Sequence, residues 1–280
     1  MTHHIEIRML TKVEEIEPIM ELEKVVWKTD VPMPADQMVT AAKHGGMVLG
    51  AFLDDRLIGF QYSFAGFDGK QAYLCSHMLG THPDYRYMKI GEKLKWKQRE
   101  IALTLGYDRI TWTYDPLETA NGYLNIHKLG AVCSTYIENC YGNMQDSLNR
   151  GISSDRFQVD WHIGSQRVVS RAEGEQQQYN DVPDSLLFDW KQDENGYPVP
   201  AAEEVDWGRL EGTTMHLPVP AQFQQMKKQN KSLAIQWRTM THHAFTYLFE
   251  RDWIVTDLIR NEKTTPVHFY VLHRKGEDYK

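Results

Sequence analysis

The sequence predicts an α/β protein built on a mixed sheet, and three observations carry that expectation. Segments in which apolar and polar residues alternate are interleaved along the chain with segments whose apolar residues recur at helical spacing. Between Ala72 and Gly106 a strand pattern runs into a basic turn and then a helix pattern. That arrangement gathers unpaired backbone N–H groups and the positive end of a helix dipole in one place, which is a phosphate cradle. The 280 residues, 41% hydrophobic and 25% charged, form an ordinary globular composition, long enough to bury a substantial core.

In chain order, Ile5 to Met9 alternates as a strand does. Thr11 can cap the next helix, with Glu14 three residues on in a capping-box arrangement, and Val13, Ile16, Ile19, Met20 and Leu22 to Trp27 supply its apolar face. Pro32 and Pro34 break it, and Ala35 to His44 reads as a second helix closed by Gly45-Gly46. Three strands follow, Met47 to Leu53, Leu57 to Gly66 and Gln71 to Leu79, joined at Asp54-Asp55-Arg56 and Asp68-Gly69. The helix that opens at Ile90-Gly91 carries Leu94, Ile101, Ala102 and Leu105 and stops at Gly106. Arg109 to Leu117 is a further strand, ended by Pro116; a helix from Ala120, a break at Gly130 and a strand from Val132 to Cys140 come next.

Beyond that point Tyr141 to Ser154 is a polar connection and Phe157 to Ile163 a strand. The glutamine-rich run from Ser165 to Asn180 reads as a linker or exposed loop. Domain boundaries are therefore expected at 1–164, a linker over 165–180 and a C-terminal α/β region over 181–280. In that region Leu186 to Phe188 and Thr213 to Pro218 suggest short strands. A long helix from Phe223 to Phe249, in two pieces near Lys231, precedes strands at Trp253 to Ile259 and Val267 to Leu272.

Net charge is −7, which argues against general binding of nucleic acid or an anionic membrane surface. Locally the turn is basic, with Arg86, Lys89, Lys93, Lys95, Lys97 and Arg99; the pattern fits either a solvated helix face or a patch that steers a polyanion. Cys75, Cys133 and Cys140 are widely spaced and suit a reducing compartment. With no apolar leader and no run of membrane-spanning length, a cytoplasmic protein is expected. His3-His4 and His242-His243 lack acidic or thiol partners at ligand spacing, so no metal is expected.

Thr81-His82-Pro83, followed by Arg86, Ile90 and Gly91, resembles the signature of the GNAT superfamily of acyl-CoA-dependent N-acyltransferases. That signature is a strand, a valine-x-proline-like turn, then arginine or glutamine-x-x-glycine-x-glycine or alanine opening a helix. Lys89 stands where the first glycine belongs, and a positive φ there would be costly for a side-chain-bearing residue. The wording of Leu94-Lys95 to Gln98-Arg99-Glu100, Trp112 to Leu117, Lys128-Leu129-Gly130-Ala131 and Ser154-Asp155-Arg156 resembles one branch of that superfamily with an extra C-terminal region. The resemblance implies a GNAT fold whose C-terminal region is a degenerate half-repeat. It also implies acetyl-CoA or succinyl-CoA as donor, and a small primary amine as acceptor, an amino acid (D-amino acids included) among the candidates. An oligomer is compatible with it. A CoA-binding sensor without turnover is the alternative, motivated by Lys89 and by the leaving-group position below.

By the same resemblance, the backbone of Arg86, Tyr87, Met88, Lys89, Ile90, Gly91, Glu92 and Lys93 would hold the CoA diphosphate, with Leu79 and Thr81 on the strand before it. The Leu79 N–H would donate to the developing oxyanion. His77, two residues earlier and on the same face of a regular strand, would assist amine deprotonation, its other reading being a structural histidine. The tyrosine that protonates the leaving thiolate in the family has Ile126 in its place; Tyr123, one turn earlier, is the substitute, or a partly buried packing residue. Asn121 would contact the pantetheine arm. Asp115 is a candidate for an acceptor's ammonium, Glu118 for a helix cap, and Arg156 for a substrate carboxylate or for an ion pair with a neighbouring acid.

Overall fold

The computed structural model describes residues 4–142, 152–179, 185–210, 212–260 and 266–276. In chain order the elements are β1 (Ile5–Met9), α1 (Val13–Trp27), α2 (Ala35–Lys43), β2 (Met47–Leu53), β3 (Arg56–Phe67) and β4 (Ala72–Thr81). A 3-10 turn (Pro83–Met88) leads to α3 (Ile90–Thr104), β5 (Arg109–Tyr114), α4 (Thr119–Gly122), a π-helical turn (Tyr123–Lys128), β6 (Val132–Ile137), β7 (Arg156–His162) and α5 (Gln166–Ala172). The remainder is β8 (Trp190–Gln192), β9 (Pro198–Pro200), β10 (Thr214–Pro220), α6 (Phe223–Gln229), α7 (Lys231–Phe249), β11 (Trp253–Ile259) and β12 (Val267–Arg274). The chain forms two compact units, Met1–Trp112 with Trp161–Val169, and Thr113–Asp160 with Ser170–Lys280.

In the first unit β1 to β4 pair antiparallel in sequence order, and β5 joins β4 in parallel, so the sheet is mixed. Helices α1 and α2 close its core, where Leu10, Ile16, Ile19, Met38 and Phe60 are fully buried. The cap of α1 lies one residue later than the sequence suggests. Lys12 is the N-cap, and Glu15, not Glu14, accepts from the backbone N–H groups of Thr11 and Lys12 at 3.2 and 3.3 Å. The Arg8 guanidinium, 2.7 Å from Glu15 Oε1, fixes that choice.

Two irregularities of β4 shape the site. Its ladder with β3 pairs Tyr62 with Met78 and Ser63 with Ser76, which leaves His77 as the extra residue of a β-bulge. Its ladder with β5 joins Leu74 to Ile110 and Cys75 to Thr111, and β4 then runs on to Thr81. The two strands are zipped at their start and separate from Ser76 onward.

The second unit is built on the antiparallel order β7-β6-β11-β12-β10, two bulged hairpins joined through β6 and β11. Phe157, Phe245 and Tyr270 form its aromatic centre, the first two with ring centroids 4.6 Å apart. Helices α6 and α7 meet at Asn230, whose side chain accepts from the Leu233 N–H and starts the second helix. The break near Lys231 thus has a capping residue as its cause.

Some expectations need correction. Ser165 to Asn180 is not loop throughout, because α5 occupies Gln166–Ala172, with Val168 and Arg171 buried. Its polar letters concealed two inward-facing positions. Leu186 to Phe188 makes only an isolated bridge between Leu186 and His216, while Trp190–Gln192 and Pro198–Pro200 pair as the β8–β9 hairpin. The helix expected from Ala120 is a short α-helix followed by a π-turn. Most of the polar connection at 141–154, the end of the linker at Asn180 and His3 lie outside the described residues. Among the described residues no helix is long and apolar enough to cross a membrane, and no group of three or more histidine, cysteine or acidic side chains is placed to hold a metal.

Candidate functional site

The strand-turn-helix of the first unit is built around Lys89. Pro83 fixes the start of the 3-10 turn, and the His82 ring nitrogen accepts from the Asp84 N–H at 3.3 Å. Lys89 ends that turn in the left-handed region, φ 56° and ψ 35°, and is at the same time the N-cap of α3. The positive φ that would be costly for a side-chain-bearing residue at this position is therefore adopted by a lysine. Its carbonyl takes the first helical bond, from the Lys93 N–H at 3.1 Å, and its side chain makes no cap bond. The N–H groups of Ile90 and Gly91 precede any carbonyl of the helix that could accept from them, so they point out of its first turn.

Space over this turn is open. A Cβ built on Gly91 would meet only Leu79 Cδ2 at 3.6 Å and Thr81 Oγ1 at 3.9 Å, both ordinary contacts. Glycine is thus not demanded by the protein's own packing, and Leu79, Thr81 and Gly91 share one surface. Arg86, Lys89 and Lys93 are exposed and make no ion pair among the described residues. Three uncompensated cations at a helix N-terminus, in a chain of net charge −7, suit a diphosphate. The more distal basic residues are otherwise engaged. Lys97 pairs with Glu100 at 2.7 Å, Arg99 donates to the Ile163 carbonyl at 2.8 Å, and Lys95 is buried.

His77 projects from the bulge among Tyr62 and Phe64, with ring centroids 6.0 and 5.6 Å away. Desolvation holds its pKa below the usual histidine value, so the imidazole is neutral at pH 7. Because the bulge interrupts the pleat, Leu79 and His77 do not share a face in the way a regular strand would give. Below them the Lys95 ammonium donates to Ser76 Oγ at 3.1 Å and lies 3.4 Å from the Trp112 ring centre and 5.3 Å from that of Trp161. Burial drives its pKa well below the ordinary lysine value. Cys75 nearby is pushed up by burial, against the pull of Lys95.

In the second unit Asp115 and Arg156 are neighbours, 3.9 Å apart. Asp115 Oδ1 accepts from the Leu117 N–H at 2.9 Å, closing the turn at Pro116, and Oδ2 accepts from Arg238 at 2.5 Å. Arg156 donates to the Asp155 carbonyl at 2.9 Å and lies over the Tyr141 ring. Asp155 itself takes bonds from Ser153, Tyr136 and the Asn139 N–H; although burial pushes its carboxyl up, these hold it below the usual range. Glu118 is the N-cap of α4 only through its backbone. Its side chain accepts from Gln224, 2.5 Å away, and burial, with Asp115 adding to it, raises its pKa.

Tyr123 is half-buried, stacked on His127 at 4.6 Å and covered by the Arg260 guanidinium at 4.8 Å. His127 Nδ1 is 2.8 Å from Asp257 Oδ1, whose other oxygen accepts from Arg171 and Tyr179. Ile126 is fully buried, so no proton donor stands there, and Asn121 is exposed. Sequence reasoning missed Arg238, Asp257 and Arg260. Each comes from the C-terminal region and reaches partners 78 or more residues earlier in the chain, a relation no local pattern encodes.

Residues 14–130 match the family model described as Acetyltransferase (GNAT) family. Among solved structures, the ribosomal-protein-S18-alanine N-acetyltransferase of Escherichia coli is similar at 13% identity and a TM-score of 0.46, covering 57% of this chain and 94% of its own. The yncA acetyltransferase of Salmonella typhimurium, solved with acetyl-CoA, is similar at 15% identity and 0.46, covering 65% and 99%. Arabidopsis thaliana Naa50, in complex with a bisubstrate analogue, is similar at 15% and 0.45, covering 56% and 97%. No curated relative matches by sequence.

Proposed function

We propose that this chain, whose residues 14–130 match the GNAT acetyltransferase family model, is an acyl-CoA-dependent N-acyltransferase acting on a small primary amine. The single observation that carries this reading is the turn at Lys89. Outward N–H groups at Ile90 and Gly91, open space above Gly91, and exposed Arg86, Lys89 and Lys93, without an ion pair among the described residues, meet at one helix start. These residues would hold the diphosphate of the CoA thioester, which supplies an activated acyl carbon when bound. Acetyl is the donor group that the family supports, and succinyl is the finer alternative. An amino acid, D-amino acids included, is the acceptor we favour.

In this reading the chain's main contribution is alignment, which supplies ~7–11 kcal/mol in well-oriented reactions. Thr81 lines the approach to the turn. The separation of β4 from β5 after Cys75 leaves the β4 edge, Leu79 included, available to donate to the developing oxyanion. Neutral His77 removes a proton from the ammonium, directly or through water, so that the amine nitrogen can attack. The C–N bond forms, the C–S bond breaks, and the thiolate takes a proton from Tyr123 or from water. Asn121 would meet the pantetheine arm, and Asp115 with Arg156 would orient the acceptor indirectly, through the turn they hold.

Calorimetric titration with acetyl-CoA and succinyl-CoA, of the wild-type protein and of Gly91→Glu, tests the reading. The variant fits sterically but sets a carboxylate beside the diphosphate. Binding to wild type and loss in the variant at an unchanged melting temperature is the expected outcome; equal binding would remove the turn from the site. Thiol release with a panel of amines then reports turnover, and binding with no release from any amine would favour the sensor.

A further inference from the structure

Between α3 and the sheet of the first unit lies a group of polar side chains that take no part in the turn at Lys89. Gln61 and Ser63 on β3, Ser76 on β4, and Lys95 and Gln98 on α3 are all buried. Ser76 Oγ accepts from Lys95 Nζ at 3.1 Å and from Gln61 Nε2 at 3.4 Å, and donates to Gln98 Oε1 at 3.3 Å. Its one donor and two acceptor positions are thereby filled. The Gln98 amide donates in turn to Ser63 Oγ at 3.3 Å, and Gln61 donates to the same oxygen at 3.0 Å. We propose that Lys95 and Gln98 are positioning residues, which act through Ser76 and Ser63 to fix the β-bulge that aims His77. This inference rests on the acyl-transfer reading and deepens it.

The network grips the place where β4 departs from regular pairing. Ser63 and Ser76 form the rung beside the bulge, and Gln61 faces Leu79 across the same ladder. Ser76 turns towards α3, whereas His77, the extra residue, lies with Tyr62 and Phe64. A shift of the bulge by one residue would exchange those directions, setting an imidazole under α3 and the serine outside. The three bonds to Ser76 exist only with the serine inward, so they select one position of the bulge.

Lys95 adds a tie to the neighbouring strand. Cys75 and Thr111 are the last pair of β4 with β5, and Ser76 and Trp112 are the next residue on each. Lys95 Nζ meets both, donating to the serine and lying 3.4 Å from the Trp112 ring centre. One side chain of α3 thus holds both strands at the rung where their ladder stops. Stability alone does not account for these groups, because apolar side chains of similar shape often replace a buried polar network at little cost. What a fully bonded network supplies is a single arrangement.

Steady-state kinetics with acetyl-CoA and an amine, on wild type, Gln98→Leu and Lys95→Met, test the inference, each variant alone and combined with His77→Gln. Both should bind acetyl-CoA within about twofold of wild type by calorimetry, because the helix start that takes the diphosphate is untouched. Both should lower kcat by about tenfold or more, as expected for a misplaced base. In the His77→Gln background the same changes should lower kcat by less than about twofold, since the residue they aim is gone. Equal losses in both backgrounds, or an unchanged kcat in the folded variants, would overturn the inference. Should neither variant fold, Ser76→Ala should reproduce the loss and Ser76→Thr, which keeps the hydroxyl, should retain kcat; equal rates in these two would sink it as well. A wild type that releases no thiol with any amine defeats the transferase reading instead. The bulge is then read by NMR from the His77 ring resonances, which sense Tyr62 and Phe64 and should move in Gln98→Leu; unmoved resonances would count against the network itself.

Discussion

The ammonium nitrogen of Lys95 lies 3.4 Å from the centre of the Trp112 ring, one residue past the last pair that joins β4 to β5. A cation on α3 and an indole on β5 thus meet where the two strands part, and Ser76 Oγ, the first β4 residue beyond the ladder, accepts from the same ammonium. No carboxylate offsets the charge among the described residues. The Trp112 face and the Ser76 oxygen stand in for water.

That burial makes stability depend on pH. The folded-state pKa of Lys95 is depressed, so between that value and about 10.5 the unfolded chain binds more protons than the folded one. Stability therefore rises with pH through that window. Lys95→Met should be about 1 kcal/mol more stable at pH 7, with the gain shrinking as pH approaches 10.5. Urea denaturation of both proteins across that range measures it; a gain independent of pH would mean that Lys95 is not desolvated in the native state.

Lys89 holds a left-handed conformation at φ 56° without a side-chain cap bond. For an L-residue this costs ~1–2 kcal/mol, part of which glycine returns as unfolded-state entropy. Lys89→Gly is expected to raise stability by about 0.5–1 kcal/mol, and Lys89→Val to lower it by more. The same glycine variant should bind acetyl-CoA more weakly, because an exposed ammonium is lost. Denaturation midpoints and calorimetry report the two effects separately.

His77 has its pKa lowered by desolvation, so the neutral base persists below pH 6.5 and is lost only as pH falls through the lower folded value. The acid limb of kcat/KM for an amine substrate should have its midpoint below 6.5. His77→Gln should abolish that limb and reduce kcat by about 10²-fold or more. An unchanged profile would return His77 to a packing role beside Tyr62 and Phe64.

Arg238 and Asp115 form a buried pair at 2.5 Å, with side-chain exposures of 6% and 10%. Arg238 Nε and Nη1 have no protein partner among the described residues. Burial works against the charge of Arg238, yet Asp115 more than restores it and raises its pKa. Arg238→Met or Asp115→Asn alone should cost about 3 kcal/mol, since each leaves the other buried charge with only a more distant partner, Arg156 for Asp115 and Asp155 for Arg238. The double variant should cost clearly less than the sum of the two. Additive losses in a thermal-denaturation cycle would show that the pair is not coupled.

Much of the fold follows from local physics and was legible. The strand-turn-helix from Ala72 to Thr104, the order of the first strands, and the break between α6 and α7 rest on alternation, proline placement and capping, which act between residues close in sequence. The turn at Arg86 to Lys93 belongs with them as a helix start, because that is set by its own backbone; that Lys89 takes the left-handed conformation, which the sequence marks only as costly, was decided by the structure. What else only the tertiary structure decided lies in side-chain surroundings. Lys95 belongs to a basic run and is buried; Asp115 and Arg156 read as open ligands, and Asp115 is held by Arg238; Ser165 to Asn180 reads as linker and contains a helix. Those outcomes depend on which distant surface covers a residue, and burial fixes both the charge a group can carry and the partner it must find.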